Sequence, residues 1–265
     1  RMPQAHKGVN GNVLIVGGSE SMVGAPIISA EAAVHGGAGK VSLTVLNSVR
    51  SIVQSKCIPE IMVLPLENIG STNLQSYDVV AVGPGLGRTD DAKVLVNSLL
   101  ERQSGHMVID ADGLYALGTI GHVYAHGDKT ITYEGNMQFK NCIMTPHLGE
   151  FSRLIDTSIN FIEKHYVDLA IQFAVAHNVV LVLKGIPSLV AFPTGEVYIN
   201  MIGNPGMGTG GMGDSLTRII AAFVAQGYYV HSRSADILAK EKPWGYTPSD
   251  VSQSVGLVLQ ELLKG

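Results

Sequence analysis

The sequence predicts an α/β fold built on a mostly parallel sheet with helices on its faces. Three observations carry that expectation. Short, wholly apolar runs alternate with longer segments of helical spacing almost from end to end, the pattern of strands and crossover helices. The runs lack the apolar–polar alternation of a half-exposed sheet, so both of their faces are expected to be buried, as in parallel sheets. Hydrophobic residues make up 46% of the 265-residue chain and charged residues only 15%. That charge content is below the usual share of about a quarter, which leaves apolar material for a large core and for contact between copies of the chain.

Taken in order, residues 12–16 form the first strand, and Gly17-Gly18-Ser19 leads from it to Gly24-Ala25, which opens a helix over 25–35. Strands over 41–46 and 61–64 follow. The strand at 79–82 runs into Gly83-Pro84-Gly85-Leu86-Gly87 and then a helix over 92–102, and the strand at 107–109 runs into Asp110-Ala111-Asp112-Gly113. Residues 118–139, with turn signals, polar residues, His122 and His126, are the least regular part and read as a surface excursion. The strand at 142–145 leads through Pro146-His147 into a helix over 148–155; a further helix covers 161–177, and the strand at 179–183 runs into Lys184-Gly185-Ile186-Pro187-Ser188. Residues 188–192 and 196–200, separated by Pro193-Thr194-Gly195, read as a hairpin added late in the sheet. The last third is helical, over 214–226, 234–240 and 249–263. No linker rich in Pro, Gly or Ser and no internal repeat interrupts the pattern, so residues 1–265 are expected to form a single domain.

The bulk properties exclude several classes. A net charge of −4 gives no electrostatic case for nucleic acid or an anionic membrane. Cys57 and Cys142 lie far apart without CxxC or Cys/His spacing, which argues against a disulfide or zinc framework and fits a reducing cytoplasm. No apolar run reaches membrane-spanning length, and the N-terminal residues do not form a signal peptide. An arginine ahead of the first methionine points to a chain cut from something longer.

The chemistry concentrates in residues 203–216, where six glycines precede one aspartate just ahead of an apolar helical segment. Glycine at that density costs backbone entropy and marks a loop whose main chain approaches something closely. Gly211, Met212 and Gly213 would aim backbone N–H groups at an anion, helped by the partial positive charge of the helix start. Asp214 would stand beside them as the group able to accept a proton. The plainer alternative is a turn with Asp214 as an ordinary N-cap. Five strand ends also carry glycine or polar residues, and ligands of parallel α/β sheets gather at those ends. Two apparent nucleotide motifs fail on spacing. In 83–87 the last glycine of a dinucleotide fingerprint would fall on Arg88, and in 36–40 a P-loop would need a glycine at Val34 and Ser or Thr at Val41.

Individual side chains leave two readings each. His147 is a substrate contact at a strand end or a structural histidine with a satisfied ring. Lys184 sits beside nucleotide phosphates or simply reaches solvent. Asp110 and Asp112 are a helix cap and a solvated neighbour, or support a metal; Glu150 is a first-turn carboxylate suited to the helix dipole or part of the site.

With these motifs in order, the chain resembles the nucleotide-dependent NAD(P)H-hydrate dehydratases, a branch of the ribokinase-like superfamily. The resemblance runs from Lys7-Gly8 to about Leu262 and rests on Gly11, Gly17-Gly18-Ser19, Gly24-Ala25, the 83–87 loop, Asp110-Ala111-Asp112, Thr145-Pro146-His147 with Gly149-Glu150-Phe151, Lys184-Gly185, and Gly203-Asn204-Pro205-Gly206-Met207 through Gly213-Asp214. It implies a three-layer α/β/α sandwich and repair of NADH and NADPH that have added water across the nicotinamide 5,6 double bond. The S epimer (NADHX or NADPHX) would be phosphorylated on its ring hydroxyl at the expense of ADP or ATP, with Mg2+, and would then eliminate phosphate. The same resemblance implies hydrate contacts from Ala25, Gly87, His147 and Asp214, and adenine-nucleotide contacts from Lys184, Gly185, Ile186, Pro187, Ser188 and Gly213. Asp214 would be the general base, with Gly211, Met212 and Gly213 supplying the anion-binding amides. It further implies a homo-oligomer and an NAD(P)H-hydrate epimerase as a fused or separate partner. Met212 departs from the usual Ser or Thr, Gly208 from Ala and Arg218 from a small residue, while Ser188 in place of Thr keeps the hydroxyl. A small-molecule kinase on the same fold, and a non-catalytic nucleotide-binding protein, are the competing readings.

Overall fold

The computed structural model describes residues 11–126, 130–185, 187–201, 212, 227–241 and 245–262. They fall into two compact units, one made of Arg1–Gly87, Gln103–Val108 and Ile202–Gly265, the other of Arg88–Arg102 and Ile109–Met201.

In the first unit, strands β1 (Asn12–Val16), β2 (Lys40–Val45), β3 (Ile61–Pro65) and β4 (Val79–Val82) pair in parallel, β1 lying between β2 and β4 and β2 between β1 and β3. Val13, Leu14, Ile15 and Val16 are all buried, as are the four residues of β4, so these strands are covered on both faces as the sequence predicts. Helix α1 (Gly24–His35) buries mainly small residues, Ser29, Ala30, Ala32 and Ala33, which lets it lie close to β1 and β2. Helix α2 (Asn47–Lys56), which the sequence reading did not anticipate, buries only Val49 and Val53. Two apolar residues are too few to stand out as a periodic signal. Strand β5 (His106–Ile109) begins in this unit and ends in the second.

The second unit carries α3 (Asp90–Arg102) and α4 (Asp112–Leu117), then strands β6 (His122–His126) and β7 (Thr130–Glu134), which form an antiparallel pair of their own. The predicted excursion over 118–139 therefore contains a hairpin. Its outer face is polar and exposed, while Ile131 and Tyr133 turn inward. Strand β8 (Cys142–Met144) pairs in parallel with β9 (Val179–Leu183), and β10 (Ser188–Ala191) and β11 (Val197–Asn200) follow antiparallel, the predicted late hairpin. Parallel pairing thus predominates, and the α/β class is as predicted.

The predicted helix over 161–177 is two helices, α6 (Ile159–Lys164) and α7 (Tyr166–His177), after the shorter α5 (Leu148–Leu154). The break falls at His165, whose φ of −124° and ψ of 31° leave the helical region while its ring stacks on Phe161 at 4.6 Å. Asn178 ends α7 in the left-handed conformation that asparagine tolerates. In the first unit, α8 (Gly227–Glu241) and α9 (Pro248–Leu262) pack together, and α9 also packs on α1. The predicted helix over 214–226 lies outside the described residues.

Candidate functional site

The first unit builds one part of the predicted site almost entirely from main chain. After β1, Gly17 N donates to Thr44 O at 3.2 Å and Gly18 N to Pro84 O at 2.9 Å. The first ties the loop to β2, and the second draws the loops after β1 and β4 together. A Cβ on Gly17 would sit 2.4 Å from Pro84 O, and one on Gly85, whose φ is +63°, would sit 2.7 Å from Met22 O. No other residue fits either position without moving backbone. A Cβ built on Gly85 would lie 3.6 Å from the Ala25 Cβ, and one built on Gly87 would lie 3.8 Å from the Ser19 Cβ. Two predicted hydrate contacts, Ala25 and Gly87, therefore belong to one knot of small residues.

In the second unit, taken by itself, several of the predicted polar side chains come together. His147 caps α5: its Nδ1 accepts from Gly149 N at 3.0 Å and Glu150 N at 3.2 Å, while Glu150 Oε2 accepts from His147 N at 2.9 Å. This reciprocal capping box is usually made by Ser or Thr. Because two amides point at Nδ1, the neutral ring carries its proton on Nε2, which stands 3.6 Å from Glu150 Oε1 on a side chain that is 60% exposed. The structural and functional readings of His147 are therefore compatible: one nitrogen caps the helix, and the ring as a whole stays largely exposed.

Lys184 follows β9 directly beside His147. Lys184 N donates to Pro146 O at 2.8 Å, and the two residues form an isolated parallel bridge. Its ammonium does not reach out to solvent. Nζ donates to Asp110 Oδ1 at 2.8 Å and lies 4.0 Å from Glu150 Oε2, with the lysine side chain 19% exposed and the aspartate 1%. Asp110 and Asp112 are likewise not a cap and a solvated neighbour. Both are buried, Asp110 against Lys184 and Asp112 against Arg88 Nε at 3.0 Å. The partnership of Asp110 with Lys184, distant in sequence, is the functional feature that sequence reading missed, because no local spacing announces it.

The loop after Lys184 closes on itself. Ser188 Oγ donates to Gly185 O at 2.6 Å and accepts from Gly185 N at 3.3 Å. Tyr166 Oη lies 3.2 Å from Leu183 O and 3.1 Å from Pro187 O, fixing both ends of the turn, and a Cβ on Gly185 would come within 3.0 Å of it. Lys184, Gly185, Pro187 and Ser188 are thus held together. Ile186 lies outside the described residues, as do Gly211, Gly213 and Asp214. Met212 is described: its side chain is buried with Ala235, Tyr246 and Val251.

Other chemistry is weaker. Burial pushes the Cys142 thiol up to about 12 and Cys57 up to about 11, so neither is a nucleophile near neutrality. Among the described residues no group of three or more His, Cys, Asp or Glu is placed to hold a metal ion. A cavity of about 750 Å³ opens beside the β6–β7 hairpin, lined among others by His122, Tyr124, Tyr133 and Asn136. It contains none of the predicted site residues.

The chain's relatives are consistent with this arrangement. The model of a family described as NAD(P)H-hydrate dehydratase matches residues 13–255. The ADP-dependent (S)-NAD(P)H-hydrate dehydratase of Listeria monocytogenes is 32% identical over 98% of this chain and 91% of its own length. The bifunctional NAD(P)H-hydrate repair enzyme of Moorella thermoacetica is 36% identical over 91% of this chain but 48% of its own length. The chain spans about half the length of such bifunctional relatives. Among solved structures, the ADP/ATP-dependent NAD(P)H-hydrate dehydratase of Bacillus subtilis, co-crystallised with ATP and Mg2+, superposes with a TM-score of 0.82 at 26% identity, covering 98% of this chain and 93% of that one. A ribokinase-like superfamily protein of Enterococcus faecalis gives 0.81 at 28% identity, over 98% and 90%.

Proposed function

The chain belongs to the NAD(P)H-hydrate dehydratase family, and from that premise we propose that it uses ADP or ATP to return (6S)-NADHX and (6S)-NADPHX to NADH and NADPH. The observation that carries the reading is the placement of Lys184, already charge-paired, beside His147, whose side chain is 60% exposed.

Hydroxide is a poor leaving group and a phosphate monoester a good one, so the enzyme must first phosphorylate the ring hydroxyl. Asp214 takes the hydroxyl proton as that oxygen attacks the terminal phosphoryl group of the nucleotide. The N–H groups of Gly211, Met212 and Gly213 receive the charge on the transferring phosphoryl oxygens. The ring nitrogen's lone pair then expels phosphate, and loss of a C5 proton restores the dihydropyridine. Lys184, Gly185, Ile186, Pro187 and Ser188, with Gly213, hold the adenine nucleotide, and Ala25, Gly87 and His147 contact the hydrate. Magnesium arriving with the nucleotide would neutralise phosphate charge. Magnesium commonly takes substrate phosphates and water as ligands.

Residues 1–265 are read as one domain. What supports this is that the family match runs through both units, each of which is assembled from separate stretches of chain. The partners in this reading are the hydrate, the adenine nucleotide, further copies of the chain, and an epimerase, fused or separate, that supplies the S epimer. The reaction is placed in the cytoplasm; no described helix is long and apolar enough to cross a membrane. The test is to incubate the protein with NADH hydrate, Mg2+ and ADP or ATP. Return of the NADH absorbance with one phosphate released per NADH is the expected result. A stable phosphorylated product would point to a kinase instead, and binding without turnover to a non-catalytic protein.

A further inference from the structure

The loop that begins at Arg88 carries an arrangement the proposed chemistry does not use. The guanidinium carbon of Arg88 lies 4.7 Å from the centre of the Tyr115 ring, and that of Arg153 lies 4.6 Å from the same centre. Stacking on an aromatic face orients a guanidinium and leaves its in-plane N–H groups free for an acceptor. The two cations are compensated unequally. Arg88 Nε is held by the buried Asp112 at 3.0 Å, and the rest of that side chain is 62% exposed. Arg153 Nε and Nη2 are buried without a hydrogen-bond partner, and the stacking on Tyr115 is what the described residues offer its charge. Arg153 as a whole is half-buried, and polar N–H groups held away from water without a partner are costly. An anion at the exposed end of Arg88 would add charge compensation that Asp112 supplies only at Nε.

Fixed planar forks of this kind match phosphoryl oxygens better than a mobile ammonium does. Arg88 also follows Gly87 directly in the chain, and Gly87 is a proposed hydrate contact. We propose that Arg88, stacked on Tyr115 with Arg153 and steadied by Asp112, binds a phosphoryl group of the dinucleotide hydrate. Arg88 makes the direct contact through its exposed end, and Arg153, on the same Tyr115 ring, adds a second positive charge. The group is either the ribose 2′-phosphate of the NADPH form or the pyrophosphate common to both forms. The identity of the ligand rests on the dehydratase reading above; the anion site itself does not.

The experiment uses the full chain saturated with Mg-ADP, so that the nucleotide site is filled, and measures binding of ADP-ribose and ADP-ribose 2′-phosphate by calorimetry. The wild-type protein, Arg88→Gln and Arg153→Met are compared. The expected result is a loss of affinity of about tenfold or more in Arg88→Gln, in keeping with the strength of a charge-assisted contact. A loss confined to the 2′-phosphate compound identifies that group, and an equal loss for both compounds identifies the pyrophosphate. The inference is overturned if neither affinity changes, if the wild-type protein binds neither compound, or if only the affinity for Mg-ADP falls. Arg88 is exposed, so its variant keeps the test decisive even if Arg153→Met does not fold. Binding is read without turnover. Hydrate repair with unchanged Arg88→Gln binding sinks this inference alone, whereas wild-type binding without repair sinks the dehydratase reading alone.

Discussion

Asp110→Asn tests whether Lys184 is set in place by a buried charge. Asp110 is 1% exposed and lies 2.8 Å from an ammonium on a side chain that is 19% exposed. Removing one member of a buried ion pair costs about 3–5 kcal/mol, because the other charge is left uncompensated. Lys184 retains some solvent and Glu150 Oε2 stands 4.0 Å away, so the low end of that range, about 3 kcal/mol, applies. For a chain of this size that corresponds to a fall in melting temperature of roughly 6–12 °C. Lys184→Met removes the ammonium 2.8 Å from the buried Asp110 and should cost a similar amount. The double variant strands neither charge, so it should be more stable than the sum of the singles predicts, by about 1.5 kcal/mol or more. Function separates from stability in the same set. Lys184→Met and the double variant both lose nucleotide affinity, and restoring the fold does not restore binding. Urea and thermal unfolding give the stability arm, and calorimetry with Mg-ADP gives the other. Strict additivity of the two single costs would refute the argument, since it would mean that the two side chains do not sense each other.

Three further outcomes follow from particular residues. Asp214→Asn should bind Mg-ADP much as wild type does while its turnover falls by roughly 10²–10⁴, the range for losing a general base; near-normal turnover would remove Asp214 from that role. Gly85→Ala places a Cβ 2.7 Å from Met22 O at a φ of +63°, and strain of about 1–3 kcal/mol should appear as a lower urea midpoint; an unchanged midpoint would show that the loop is not tight there. His177 is pressed below its ordinary value of 6.5 chiefly by burial, with a bond to Met137 O acting in opposition. A depressed folded value means that the unfolded chain takes up the proton first, so this stability is present above about pH 6.5 and is lost as pH falls. The urea midpoint should therefore drop from neutral to mildly acidic pH less steeply in His177→Gln than in wild type, and equal slopes would refute the assignment.

How much of this was legible in sequence depended on whether the signal was local. Val13–Val16 and Val79–Val82 announce themselves as buried strands because every residue in them is apolar. The strand ends were legible for the same reason, since glycine and polar residues interrupt those runs abruptly. Helix α2 was not, because only Val49 and Val53 of its residues are buried. The break at His165 was also hidden. Apolar spacing continues across it, and what ends the helix is a backbone turn accompanied by ring stacking on Phe161. In the candidate site, His147 and Lys184 could be named from their places after strands. Their physical states could not, because these depend on Asp110 and on the amides of α5, which the fold supplies. Tyr166 gave no signal at all. It begins a helix, and only the fold places its hydroxyl beside Leu183 O and Pro187 O.

Met212 departs from the family pattern in its side chain alone, which the proposed role of this position does not use. Relative to the usual Ser or Thr, it removes a hydroxyl that would face phosphate, which on sequence alone looks like a loss to the anion loop. The structure gives the side chain different work: it is 5% exposed and packs with Ala235, Tyr246 and Val251. Its flexible thioether suits a gap between those uneven neighbours, whereas a Ser or Thr hydroxyl at that depth would need a partner to offset its burial. The proposed contribution of this position to catalysis is a backbone N–H, which every residue but proline supplies. The substitution therefore exchanges one side-chain contact to phosphate for packing against Ala235, Tyr246 and Val251. An anion cradle made of main-chain amides can tolerate that exchange; one made of hydroxyls could not.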